Sequence, residues 1–284
     1  MALGGKILTW FDGAWAEDNT MILGAADHAT WLGTLVFDGA RTFDGMTPDL
    51  DLHCERITNS ARAMTMNPPV DGKSIEALSR EGIAKFASGT DLYIRPMMWS
   101  VEGSPALIDA DPDSTAFALC IEEFPMAAPG DFALTVSPFR RPRQDTALTE
   151  AKAACLYPNN GRIAREAQSR GFNTALSLDL DDNVAETSST NVFMLRDGEV
   201  LTPKLNGTFL NGITRQRVIS LLQADGMTVR ETSLSVADFA EAEEIFLTGN
   251  ASKVTAVTRF EDRALPTKLG MKVCGLYWDY ARLG

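Results

Sequence analysis

The lysine in EAKAACLYPNNG, residues 150–161, stands among small and apolar neighbours: Ala151, Ala153, Ala154, Cys155 and Leu156. An ammonium there either snorkels to water along its own stem, or is desolvated and becomes a usable amine nucleophile. The charge-rich stretch before it, FRRPRQDTALTE, reads as a solvated loop. A second candidate is Glu186 in NVAETSSTNVF, followed by four hydroxyl residues, Thr187 to Thr190, with Ser189 among them. A carboxylate among short donors can be held ionised and paired with a protonated ring nitrogen. As plain structure the same stretch is a polar loop between two strands.

Four stretches have the chemistry of anion sites. In LNGITRQRV, Gly212 precedes a helix that begins at Ile213 and Thr214. A helix N-terminus offers free backbone N–H groups and the positive end of the dipole, but most helices begin this way. LTGNASKV (247–254) follows an apolar run with small polar residues, and Gly249 allows close backbone approach. In YIRP (93–96) a strand places Tyr93 and Arg95 on one side, where a phenol and a guanidinium suit a carboxylate or simply form a polar sheet face. Over 49–66 the helical period puts Leu50, His53, Ile57, Ser60, Ala61 and Met64 on one face, with Arg56 at its edge. Arg56 can turn inward to a phosphate or pair with Asp49 or Glu55. His53 reads as a satisfied core histidine.

The elements that must position these residues read as strands, helices and strands, twice. KILTWFDGAW is a hairpin around Asp12-Gly13, and Gly39 and Gly45 punctuate a second hairpin-like run. Helices are expected over 49–66 and 73–88, and strands in DLYIRPMMW and STAFALCIEEF. PMAAPGD (125–131) is the linker candidate. Beyond it come strands in FALTVSPF and NTALSLDL, and a helix from Asn160, its expected cap, to Gly171. A hairpin turns at Asp197-Gly198, a helix ends at Gly226, two more strands follow, and a helix covers 268–282. The expectation is a small α+β domain over 1–126 and a larger mixed domain over 127–284.

Composition narrows the classes. With 284 residues, 45% hydrophobic and 23% charged, the chain can bury a sizeable core. A net charge of −12 argues against nucleic acid or an anionic membrane as the main partner. Four scattered cysteines and two histidines make no metal-ligand spacing. No metal, free thiols and a cytoplasmic location are expected. Nucleotide-loop, zincin and serine-hydrolase motifs are absent.

Taken in order, HATWLGTLVFDGAR, LHCERITNSA, YIRP, AKAACLY, VAETSSTNVF, LNGITR and LTGNAS resemble the serial motifs of class IV pyridoxal-phosphate aminotransferases, and most nearly those of the branched-chain amino acid aminotransferases. The resemblance runs from about residue 5 to beyond 255. It implies the two-domain fold type IV, D-amino acid aminotransferase-like, with α/β and α+β parts and the cofactor, pyridoxal 5'-phosphate, in the cleft between domains. Lys152 matches the lysine that forms the Schiff base and moves the α-proton. Glu186 matches the partner of the pyridine nitrogen, and Tyr157 the tyrosine bonded to the cofactor O3'. Arg56, Ile213, Thr214 and Asn250 match the phosphate cradle, and Ser189 falls among the cofactor contacts. Thr248, Gly249 and Ala251 match the site of the substrate α-carboxylate. Phe37, Gly39, Arg41, Tyr93 and Arg95 match pocket-lining positions. The family works as a homodimer in which a partner loop, matching GSPALID (103–109), completes each site.

The activity implied is ping-pong transfer of an amino group from an apolar, branched-chain-like L-amino acid to 2-oxoglutarate. Three departures stand out: Leu32 where the family usually has a tyrosine, Asn250 where it has a threonine, and TSST where a glycine-rich stretch follows the glutamate. Leu32 motivates the alternative of an (R)-selective amine or D-amino acid transaminase. VFDG with YIRP favours the branched-chain pattern.

Overall fold

The computed structural model describes residues 5–283. They form two compact units, one of residues up to Met126 together with Glu150–Cys155, the other of Ala127–Thr149 together with Leu156–Leu283.

In the first unit, β1 (Ile7–Phe11) and β2 (Ala14–Ala16) pair across Asp12-Gly13. Both turn residues are left-handed, at φ 50° and 81°, which matches the strand twist of a two-residue hairpin. After α1 (His28–Leu32) come β3 (Leu35–Phe37) and β4 (Ala40–Thr42). These two are not the expected hairpin. They lie one after the other along β5 (Leu92–Ser100), in continuous register. The ladder is interrupted opposite Pro96, which has no N–H to donate and whose carbonyl accepts from the Asp38 N–H. That interruption places Asp38 and Gly39 where their groups are free for other partners.

Helix α2 (Leu50–Ala63) buries the expected stripe. It is bounded by left-handed Asp49 and Thr65, at φ 57° and 61°, and so falls short of 49–66 at both ends. Helix α3 (Gly72–Ile83) is capped by the Asp71 carboxylate and ends five residues early. There Lys85 and Phe86 take the last carbonyls in tightened turns. With β6 (Thr115–Glu123), the first unit's sheet runs β2-β1-β6-β5-β3, and β4 also pairs with β5.

In the second unit the elements are β7 (Ala133–Arg140), α4 (Tyr157–Ser169), β8 (Thr174–Leu178), β9 (Val184–Thr187), β10 (Asn191–Arg196), β11 (Glu199–Pro203), α5 (Ile213–Ala224), β12 (Val229–Thr232), α6 (Val236–Glu241), β13 (Glu244–Gly249), β14 (Lys253–Val257), β15 (Arg259–Phe260), β16 (Arg263–Ala264) and α7 (Lys268–Leu283). They make two sheets, β12-β11-β10-β13-β14 and β16-β15-β7-β8-β9. β7 and β8 run parallel with α4 between them in the chain, as do β11 and β12 with α5 between them. Leu134, Val192, Met194, Phe239 and Leu247 share one buried core. Helix α4 starts at Tyr157 with Pro158 in its first turn, so Asn160 is inside the helix and not its cap.

The segment carrying Lys152 also differs from expectation. It belongs to the first compact unit, whereas the expectation placed it in the domain over 127–284. Ala153 forms a bridge to Val36, the Lys152 carbonyl accepts from the Phe37 N–H, and the Lys152 N–H donates to Ser60 Oγ at 3.1 Å. All four cysteines are free. No described helix is long and apolar enough to cross a membrane.

Candidate active site

In the first unit the interruption of the sheet sets up a charged cluster. Asp38 is fully buried. Its Oδ1 accepts from Gly39 N–H at 2.7 Å and stands 2.7 Å from His53 Nδ1. Arg56 donates to both carboxylate oxygens, from Nε at 2.6 Å and from a terminal nitrogen at 2.9 Å. Burial alone would raise the Asp38 pKa, but Arg56 and His53 outweigh it and hold the carboxyl well below the usual range. Arg56 thus turns inward from α2 to Asp38. Its side chain keeps 20% exposure.

Lys152 is half-buried, with Nζ 4.9 Å from the centroid of the Phe37 ring. Ala151 and Ala153 beside it are buried, whereas Cys155 is exposed, so the enclosure read from the sequence holds for only part of the segment. On β5, Tyr93 and Arg95 face the same side, the guanidinium 4.9 Å from the phenol ring. Arg95 is ion-paired with Glu122 on the neighbouring β6. Burial would lower the Arg95 pKa, but Glu122 more than offsets it. Gly39 is buried, and Arg41 is wholly buried, its guanidinium stacked on Phe124 and donating to the Phe124 carbonyl.

In the second unit, Glu186 is buried on β9, with Oε1 3.2 Å from a terminal nitrogen of Arg141. Arg141 is itself buried and donates to Asn160 Oδ1 and to the Thr208 carbonyl. The solvated loop expected before Lys152 therefore holds one interior cation, while Arg143 and Asp145 pair at the surface. Tyr157 opens α4 and is half-buried. Ser189 is exposed in a turn closed by Thr187 N–H donating to the Thr190 carbonyl.

The head of α5 is built around Gly212. A Cβ there would lie 2.2 Å from Asn191 Oδ1, so only glycine lets the chain approach. Asn191 Nδ2 donates to the Leu210 carbonyl, and across the sheet Asn191 stands opposite Thr248 on β13. The Arg215 side chain bonds Asn211, the Pro203 carbonyl and Glu231, which ties the first turn down. Ile213 and Thr214 are buried in that turn. At the end of β13, Gly249 passes so near Thr190 that a Cβ would meet its methyl at 2.6 Å. Thr248 is 1% exposed, and neither its Oγ1 nor Asn250 Nδ2, also buried, has a partner among the described residues. Ala251 follows, exposed, in the turn between β13 and β14.

Buried donors left over beside a helix N-terminus are what an oxyanion group requires, so these residues fit the phosphate of pyridoxal phosphate. A buried carboxylate backed by an arginine fits a protonated ring nitrogen, and a half-buried lysine fits a carbonyl carbon. The sequence reading passed over Asp38, Arg141, Asn191 and Lys253. Asp38 had a local signal, an acid between an apolar strand and a glycine. Arg141 had none, since it differs from its exposed neighbours only in tertiary context.

The amino-transferase class IV family model matches residues 35–260. The branched-chain-amino-acid aminotransferase of Pseudomonas aeruginosa is 28% identical over 271 residues, covering 90% of this chain and 85% of that one. A crystal structure of an aminotransferase from Brucella abortus bound to pyridoxal phosphate is 52% identical, with a TM-score of 0.96, covering 98% and all of the two chains. The branched-chain aminotransferase of Thermoproteus uzoniensis, solved with norvaline, is 26% identical with a TM-score of 0.89 over 98% of this chain and 95% of that one.

Proposed function

The chain belongs to the class IV aminotransferases, and we propose that within that family it moves the amino group of an apolar L-amino acid to 2-oxoglutarate by a ping-pong mechanism, with pyridoxal 5'-phosphate as cofactor. Its architecture is the family's fold type IV. The reaction rests chiefly on one observation, the half-buried Lys152 amine over the Phe37 ring. The substrate class is supported by likeness to enzymes named for branched-chain amino acids.

When bound, the cofactor supplies a carbonyl carbon for the amino nitrogen and a ring that accepts the electron pair left as Cα loses its proton. Lys152 Nζ is the base for that proton and the acid that gives it back. Its place is fixed from both sides of its peptide by Ser60 and Phe37. Glu186 would hold the proton on the ring nitrogen, and Arg141, 3.2 Å from its carboxylate, helps to keep that carboxylate in place. Tyr157 would donate to the ring oxygen O3'. By the family resemblance Ile213, Thr214 and Asn250 would hold the phosphate, and Arg56 and Ser189 would be further cofactor contacts. Thr248, Gly249 and Ala251 receive the substrate α-carboxylate. Phe37 shapes the wall for an apolar side chain, with the buried Gly39 and Arg41 behind it, and Tyr93 with Arg95 takes the distal carboxylate of the acidic co-substrate.

A homodimer is part of this reading. Residues 103–109 form a turn braced by His28 Nε2, 3.2 Å from the Leu107 carbonyl, and this turn holds Leu107 and Ile108 out at 62% and 80% exposure. Apolar side chains so displayed suit burial against a second copy. I108D should lower the mass seen by light scattering.

A half-reaction scan tests the function. L-leucine and L-glutamate should each convert the bound cofactor to its amino form, seen as loss of its visible absorbance, while D-alanine and (R)-1-phenylethylamine leave it unchanged. Conversion by the latter pair alone would overturn the reading.

A further inference from the structure

Lys253 is 1% exposed and closes the turn between β13 and β14, where it pairs with Gly249. Its backbone is left-handed, φ 57°. A turn at this place ordinarily takes glycine or asparagine, and a buried position ordinarily excludes lysine. Two costs therefore fall on one residue, and its head group shows what offsets them. Nζ donates to Asn250 Oδ1 at 2.8 Å and lies 6.0 Å from the centre of the buried Tyr277 ring on α7.

A primary amide that accepts at Oδ1 must turn its Nδ2 the other way. That Nδ2 is the buried donor without a partner, and Thr248 Oγ1 two residues earlier is another. Thr248 stands opposite Asn191, against which Gly212 and the head of α5 are packed. Rotated by half a turn, the same amide would present an oxygen to any anion at this place and repel it.

We propose that Lys253 is a positioning residue for the cofactor phosphate. It locks the Asn250 amide with its N–H groups forward, and its ammonium places a positive charge one hydrogen bond behind them. The proposal rests on the pyridoxal-phosphate reading above and adds to it a residue outside the cradle.

The test titrates the apoenzyme with pyridoxal phosphate and, separately, with pyridoxal, which lacks the phosphate. Binding is followed by absorbance and by quenching of protein fluorescence. K253M should weaken pyridoxal phosphate about ten-fold and leave pyridoxal unchanged, and K253R should recover most of the loss. N250A and the double variant N250A/K253M should lose affinity by the same factor, because Lys253 acts through Asn250. If K253M does not fold, K253Q, of similar length, carries the same comparison. Equal losses for the two ligands, additive losses in the double variant, or unchanged binding of pyridoxal phosphate would each overturn the proposal. A wild-type protein that binds neither ligand would overturn the cofactor assignment itself.

Discussion

In the first unit, Arg56 and Arg95 each hold a carboxylate of the same chain, Asp38 and Glu122. In the second, Thr248 Oγ1 and Asn250 Nδ2 are buried with no partner among the described residues. A buried donor left unmade costs about 1–3 kcal/mol, which a bound anion returns. The second unit thus carries a cost in its free state that bound anions, the phosphate at Asn250 and the substrate carboxylate at Thr248, relieve. The first carries no such cost at these arginines, and a ligand reaching them must share them with the resident acids. Removing the Asp38 carboxylate and removing the Thr248 hydroxyl should therefore have opposite consequences for the free protein.

The largest effect is expected at Asp38. D38N leaves Arg56 and His53 facing a neutral amide. The loss should be about 3 kcal/mol, at the low end for a broken buried pair because Arg56 is partly exposed. Urea unfolding at neutral pH measures it. The Asp38 pKa is depressed in the folded state. Its contribution is therefore fully present above the unfolded value of about 4 and is lost as pH falls from there towards the folded pKa. D38N should flatten the wild-type loss of stability below about pH 4. An unchanged acid limb would show that the cluster is not the stabilising element.

G212A comes next. Its Cβ would strike Asn191 Oδ1, and the nearby Arg215 Cβ leaves it no room to slide away. Destabilisation of about 2 kcal/mol is expected, with part of it recovered in N191A/G212A. Full additivity in that pair would mean that the contact does not hold the helix head.

T248V then reverses the sign. Valine keeps the shape and removes the unpartnered hydroxyl, so the apoenzyme should gain about 1 kcal/mol while KM rises for both L-leucine and 2-oxoglutarate. A destabilised apoenzyme would show that the hydroxyl has a partner in solution, and the contrast between the regions would fail.

Most of this frame was legible from the chain. The Asp12-Gly13 and Asp197-Gly198 turns, the stripe of α2 and the helix beginning at Ile213 follow from local chemistry, and the structure repeats them. Helix α6 also had a signal, the Ser235 and Asp238 capping box, but a six-residue helix leaves too short a period to read. What could not be read depends on distant partners. Pro96 interrupts the β3–β4 run from 58 residues away in sequence and so exposes Asp38 to Arg56. Arg141 is interior only because Glu186, Asn160 and Thr208 surround it. Lys253 looks like any surface lysine until the fold buries it near the Tyr277 ring on α7.

The smallest effect, and the finest probe of the contrast, is at Glu122. Its ion pair with Arg95 lies at a partly open position, the arginine side chain 35% exposed, so solvent screens it and the pair is worth no more than about 1 kcal/mol. E122Q should barely change stability. It should instead leave the guanidinium without its resident acid and so lower KM for 2-oxoglutarate about three- to five-fold, with KM for L-leucine unchanged, since an apolar side chain gains nothing from a freed cation. A rise in KM for 2-oxoglutarate would mean that Glu122 aims Arg95 at the substrate and does not compete with it, and the first unit's paired cations would then be preorganised in the same sense as the donors around α5.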